Sequence, residues 1–264
     1  MSTFKQSQPG ENENTETQAY SQSRGQWQSI YRIGGVFTII ALIGIVLDVI
    51  VGSATGGNLS ALPQTAIDRF AQFQETPLLG LYNLDLLNIA NQMLLIPAYF
   101  ALYAVHRKGN DAYALLALII FLMGTTIFVT TNTALPMLEL SNKYAVATTE
   151  SQKTLLAAAG EAMLARGAHG SLGVFISFLL PNVAGLVMSL AMLTAKVFNK
   201  ITSYMGIAGS ALILLYIVLV TFAPGIKDMA TTFAMPGGLL LMTWMIMFTI
   251  RLFQLGRSIH RGAK

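Results

Sequence analysis

Two carboxylates, Asp48 and Asp85, stand inside long apolar runs of this chain. An ionisable group in such surroundings is costly, so each is a functional candidate by default. Asp85, Asn88 and Gln92 are spaced three and four apart, which places them on one face of a helix. Asn132 lies near the end of the third run and His169 opens the fourth. Acids, amides and an imidazole at similar depth suit two kinds of chemistry. They can hydrogen-bond a polar or amphipathic ligand in a water-filled cavity, or they can relay a proton. The candidate ligand-binding residues are therefore Asp48, Asp85, Asn88, Gln92, Asn132 and His169. The competing use of the same side chains is to bond helix to helix, at about 0.6 kcal/mol each.

No motif assigns a reaction. A metal site needs three converging ligands, and the chain has neither an HExxH helix nor any cysteine. A GxSxG nucleophile elbow and the glycine patterns that cradle phosphates or dinucleotides are absent as well. The sequence thus predicts no catalytic residue, no metal and no cofactor. Asp48, Asp85 and His169 are the only set from which an enzyme could be built, and only if the fold gathers them.

The elements that must position these residues are six apolar runs. They cover roughly 33–52, 78–105, 112–136, 167–194, 201–222 and 232–253. A hydrocarbon layer about 30 Å thick takes roughly 20 residues of helix to cross, and each run is long enough. Of the 264 residues 54% are hydrophobic and 11% charged. That is about half the charge a soluble domain carries, so lipid must cover the surface. The expected fold class is all-α: a polytopic integral membrane six-helix bundle.

Lysine and arginine set its orientation. Lys5, Arg24, Arg32, Arg107, Lys108, Lys196, Lys200, Arg251, Arg257, Arg261 and Lys264 fall on one side, and Arg69, Lys143, Lys153, Arg166 and Lys227 on the other. The richer side is cytoplasmic, which predicts both termini inside and Asp48, Asp85, Asn132 and His169 in the outer third of the bilayer. Charge scattered over run ends is no nucleic-acid footprint, so the partners expected are membrane lipids and a small amphipathic ligand. The domain plan is a disordered polar cytoplasmic tail over 1–29, the transmembrane domain over 30–255 and a basic cytoplasmic tail over 256–264. Two outer segments, 60–74 and 150–166, have helical spacing of apolar residues. The first sets Leu62, Ile67, Phe70 and Phe73 against Gln64, Asp68 and Arg69, which predicts helices lying at the interface or capping the bundle. Gly173, Ser177, Pro181, Gly185 and Ser189 form a stripe of small residues in the fourth run, a signature of close helix packing in lipid.

The segments IYRIGGVFTIIALIG, YNLDLLNIANQMLLIPAYFALYAVHRK, SNKYAVATTESQKTLLAAAGEAMLA and GVFISFLLPNVAGLVMSLAML resemble a bacterial family known as domain of unknown function 4386. The likeness runs from about Ile30 to Phe253. It implies a six-span protein of the bacterial inner membrane and carries over no activity or site residue. The functional expectation is an uncharacterised multi-pass inner-membrane protein that binds or senses a lipid-like or small amphipathic ligand in an outward-facing polar pocket. Its alternatives are a proton-coupled small-molecule transporter and an intramembrane enzyme using Asp48, Asp85 and His169.

Overall fold

A backbone surrounded by lipid must satisfy its own N–H and C=O groups, and a helix does so within one segment. The computed structural model describes residues 9–54, 62–107, 109 and 111–257, and no strand occurs among them. The helices are α1 (Pro9–Ala54), α2 (Ala66–Glu75), α3 (Pro77–Tyr82), α4 (Leu86–Leu94), α5 (Ile96–His106) and α6 (Asp111–Thr131). They continue with α7 (Ala134–Val146), α8 (Glu150–Gly167), α9 (Phe175–Ala195), α10 (Lys200–Phe222) and α11 (Lys227–Arg257). Six stretches are long and apolar enough to cross a membrane: α1 from Gly25, α4 with α5, α6 running on into α7, Leu172–Ala195, α10, and α11 from Met229.

These six close a ring in chain order. Helix α1 packs on α4 and α5, α5 on α6, α6 on α9, α9 on α10, α10 on α11, and α11 back on α1. Small residues bring the axes together. A Cβ on Gly34 of α1 would collide with Ala101 of α5, and one on Gly124 of α6 would lie 2.6 Å from Pro181 of α9. The stripe on α9 faces its neighbours within the ring, with Gly185 beside Ser210 and Ser189 beside Gly206, both of α10. Polarity is distributed inside out. Thr38, Asn91, Ser177, Ser189 and Ser210 are buried, whereas Ile33, Ile39, Ile43, Leu47 and Ile50 of α1 are exposed. An exposed apolar face this long is one that lipid covers.

A second layer caps one end of the ring. Helices α2, α3, α7 and α8 pack on one another around Phe70, Phe73, Leu84, Met137 and Leu164, a cluster separate from the bundle core. Gly160 lets α8 approach α2, where an added Cβ would sit 2.6 Å from that of Ala66. The Glu161 carboxylate accepts from the Ala66 N–H at 2.7 Å, and the Thr65 side chain accepts from the Asp68 N–H at 3.2 Å. Both satisfy donors that open a helix.

Several boundaries differ from the sequence reading. The second span is not continuous over 78–105. Its helix breaks at Asn83–Asp85 and again at Leu95, so the membrane-long part begins at Leu86. The second break comes two residues before Pro97, whose ring leaves a backbone carbonyl without its helical donor. Helix α6 ends at Thr131, so Pro136 lies in the first turn of α7 and not inside a continuous helix over the third run. The fourth span begins at Leu172, which leaves His169 in the linker before it. In α2 the buried face is Ala66, Arg69, Phe70 and Phe73, while Ile67 is exposed, so Arg69 points inward and not to the polar side. Helix α1 starts at Pro9, within the 1–29 segment read as disordered. Adding residues to a helix already nucleated by an apolar span costs far less than nucleating one. Residues 1–8 and 258–264 of the two tails lie outside the described residues.

Candidate functional site

The break in the second span creates the site. After α3 the chain turns through Asn83 and Leu84, and Asp85 takes the left-handed conformation with φ 63° and ψ 21°. Aspartate tolerates this region better than most L residues, but it remains a strained place for a non-glycine. The Asn132 Nδ2 donates to the Leu84 carbonyl at 2.6 Å, and its Oδ1 accepts from the Ala134 N–H at 3.0 Å. One amide therefore stabilises two chain breaks, that between α3 and α4 and that between α6 and α7.

Held this way, the Asp85 carboxylate meets two partners. Asn88 Nδ2 donates to Oδ1 at 2.9 Å, and His169 Nδ1 lies 3.2 Å from Oδ2. His169 projects from the linker before α9, where Gly170 with φ 76° makes the turn. The Tyr216 hydroxyl of α10 lies 2.8 Å from His169 Nε2, and the Phe178 ring packs on the imidazole at 5.0 Å between centroids. Asp85, His169 and Tyr216 thus form a hydrogen-bonded chain across three elements. A carboxylate facing Nδ1 keeps the proton there. In a neutral imidazole Nε2 then accepts from the Tyr216 O–H, and in a charged one it donates to the Tyr216 oxygen. Burial works against charge on His169, but the Tyr216 oxygen and the Asp85 carboxylate outweigh it and hold the pKa well above the ordinary histidine value.

Two further groups flank the chain. Arg69 of α2 is buried at 4% exposure, with Nη1 donating to Gln72 Oε1 at 3.3 Å and Nε left without a partner among the described residues. Burial pushes its guanidinium down to about 10, against the pull of the Asp85 carboxylate, so it is still cationic at neutral pH. Tyr82, the last residue of α3, donates its hydroxyl to the Asp48 backbone carbonyl at 2.9 Å. Burial, the neighbouring Asp48 carboxylate and a hydrogen bond to it push the Tyr82 hydroxyl above its usual range.

Of the six candidates the fold joins Asp85, Asn88 and His169 directly. Asp48 reaches the group only through Tyr82, and among the described residues no hydrogen bond or ion pair links it to Asp85 or His169. Asn132 secures backbone. Gln92 faces elsewhere, its Nε2 donating to Thr125 Oγ1 of α6 at 3.4 Å. No set of three His, Asp or Glu among the described residues could hold a metal. Sequence reasoning missed Arg69, Tyr82 and Tyr216. The signal for Arg69 was available: it stands one position before Phe70 and three after Ala66, inside an otherwise apolar helix face. The tyrosines gave none, since a tyrosine near the end of a span is ordinary interfacial dressing.

Deeper along α4, about 10 Å past Asp85 at the helical rise, a cavity of about 230 Å³ lies within the ring. Ile45 of α1, Gln92 and Tyr99 of the second span, Phe121 of α6, Gly185 of α9, Ser210 of α10 and Trp244 of α11 all line it. Every span contributes, and no Asp, Glu, His, Lys or Arg is among the lining residues. Gln92 is the one sequence candidate on its wall, so this is not the pocket around Asp85 that the residue pattern predicted. A family model, Domain of unknown function (DUF4386), matches residues 32–249. No curated protein and no solved structure matches the chain.

Proposed function

Since the chain belongs to this DUF4386 family, whose function is not assigned, its own side chains must supply the chemistry, and we propose that this multi-pass membrane protein binds a small, largely apolar molecule in the middle of its bundle. The observation that carries the proposal is the cavity of about 230 Å³ to which all six spans contribute. Packed interiors leave few voids larger than a water molecule. A space of this size leaves its lining side chains without packing partners, and a bound molecule supplies them. The walls are aromatic and methionine side chains with a few polar groups among them, the usual lining of a small-molecule site. The membrane in which it acts is proposed to be the bacterial inner membrane, with both termini cytoplasmic, on the strength of the lysine and arginine distribution.

The test is to purify the chain in mild detergent and weigh it by native mass spectrometry. Wild type is expected to carry an additional small mass. Gly238→Leu, placed on the cavity wall where an added Cβ meets nothing within 4 Å, is expected to lose it. A wild type that carries nothing and becomes more stable when Leu fills the space would reject the proposal.

One observation favours a second reading, proton-coupled transport of such a molecule. The Asp85–His169–Tyr216 chain of hydrogen bonds joins three elements at the bundle's capped end, as a proton relay requires. In proteoliposomes loaded with a pH dye, Asp85→Asn should abolish acidification driven by an imposed proton gradient. Unchanged acidification in that variant removes the reading.

A further inference from the structure

We infer that the molecule held in the central cavity is uncharged and carries a carbonyl oxygen, received by the hydroxyls of Tyr99 and Ser210 beside the bare Cα of Gly185; this rests on the cavity being a binding site, as proposed above. Ser210 is fully buried on the cavity wall, and its Oγ has no hydrogen-bond partner among the described residues. Elsewhere in the bundle buried hydroxyls turn back onto their own helix. Thr38 donates to the Gly34 carbonyl at 2.7 Å, Thr125 to Phe121 at 2.8 Å and Ser177 to Val174 at 2.6 Å. Other buried hydroxyls lack partners too, those of Ser189, Ser203 and Thr249 among them, but of these residues only Ser210 lines the cavity.

Tyr99 supplies the second donor. Its ring stacks on Phe121 with centroids 3.8 Å apart and planes 11° from parallel, which fixes where the hydroxyl points. That hydroxyl lies 3.4 Å, and Ser210 Oγ 3.0 Å, from the place a Cβ on Gly185 would occupy, so both flank the same spot. No hydrogen bond joins either hydroxyl to a described residue. The nitrogen donors of the other polar side chains on the wall have partners: Gln92 Nε2 with Thr125 Oγ1 at 3.4 Å, Asn182 Nδ2 with the Phe178 carbonyl at 2.9 Å, and Trp244 Nε1 with Met192 Sδ at 3.4 Å.

Two free donors on one patch match the two lone pairs of a single carbonyl oxygen. A ligand lacking that oxygen would leave both hydroxyls desolvated and unpaired, which is the penalty that discriminates between ligands in a dry site. With no Asp, Glu, His, Lys or Arg on the wall, a charged ligand would have no counter-ion. The volume exceeds the roughly 150 Å³ that accommodates a benzene ring, so a small fused ring system fits. Phe121, Trp244 and Phe248 offer it flat faces.

The experiment compares 1-indanone with indane, two molecules of one skeleton that differ by the carbonyl, titrated against the full chain in lipid nanodiscs. The chain has two tryptophans, so in a Trp27→Phe background the emission reports Trp244 on the cavity wall alone. Saturable binding of 1-indanone about tenfold tighter than that of indane is expected. Tyr99→Phe, which keeps the stacked ring, and Ser210→Ala should each reduce the preference, and together they should abolish it. Equal saturable binding of both molecules, untouched by these variants, overturns the carbonyl assignment and leaves the cavity proposal standing. If neither molecule binds saturably, both fall.

Discussion

Asp85 concentrates several unusual properties in one residue. Its backbone is left-handed, its carboxylate is buried at 6% exposure, and it is shared between an amide and an imidazole. The His169 pKa, held well above its ordinary value of 6.5, ties stability to pH with a definite sign. A group that binds its proton more tightly folded than unfolded contributes fully below the unfolded pKa and loses that contribution as pH rises through the folded one. Thermal stability in detergent is therefore expected to be constant below about pH 6.5 and to fall as pH rises beyond it. His169→Gln should remove that alkaline decline while leaving acidic behaviour unchanged. A decline of equal size in the variant would mean another group is responsible. The same residue scale shows how far spacing can be trusted. Asn88, in the first turn of α4, does bond to Asp85, which stands as the residue capping that helix. Gln92, on the same nominal face, turns to Thr125, because the helix starts only at Leu86 and neighbours determine where a long side chain ends.

At the scale of elements, the capped end is a small helical layer with its own core, and it is tied to the bundle through backbone. Asn132 bonds Leu84, and Arg166 donates to the Thr130 carbonyl at 2.7 Å. Its weakest tolerance is at Gly160, where α8 touches α2. A Cβ there would stand 2.6 Å from Ala66 Cβ and 2.7 Å from Phe70 Cζ, with neither neighbour free to retreat. Gly160→Ala should cost about 1–3 kcal/mol, the usual range for overpacking. Limited proteolysis should then cut within 144–168 well before the spans, and resistance equal to wild type would show that the layer yields without cost. Helicity of the 150–166 segment is legible from its spacing, and so is the capping role of 60–74. The place of Arg69 on the Ala66–Phe70–Phe73 face is legible from the spacing too, but the Asp85 charge that acts on it lies beyond α2 and is met only in the fold.

The molecule as a whole has a polarity that can be read chemically. Its sequence contains no cysteine, so any single introduced thiol is labelled without background. Gly109→Cys, in the turn between α5 and α6 where an added Cβ meets nothing within 4 Å, is expected to react with an impermeant maleimide only after cells are opened. Ala147→Cys, between α7 and α8, is expected to react in intact cells. The reverse pattern would invert the orientation and place the cap in the cytoplasm. The ring itself, closed in chain order, is what a six-span chain with short hairpin turns at 106–111 and 195–200 makes most simply, since consecutive helices find one another first.

Composition, run length and charge at the run ends suffice to specify six helices in lipid, because water and hydrocarbon act on every residue independently of its distant partners. The breaks at Asn83–Asp85 and Asn132, and the fate of each polar side chain, had to await the packed chain. Tyr216 joined His169, Tyr99 and Ser210 came to flank Gly185, and residues of six spans came to line one cavity. Each of those is a meeting of residues remote in sequence. No local pattern encodes it, since the partner that satisfies a buried group is chosen by how the helices pack.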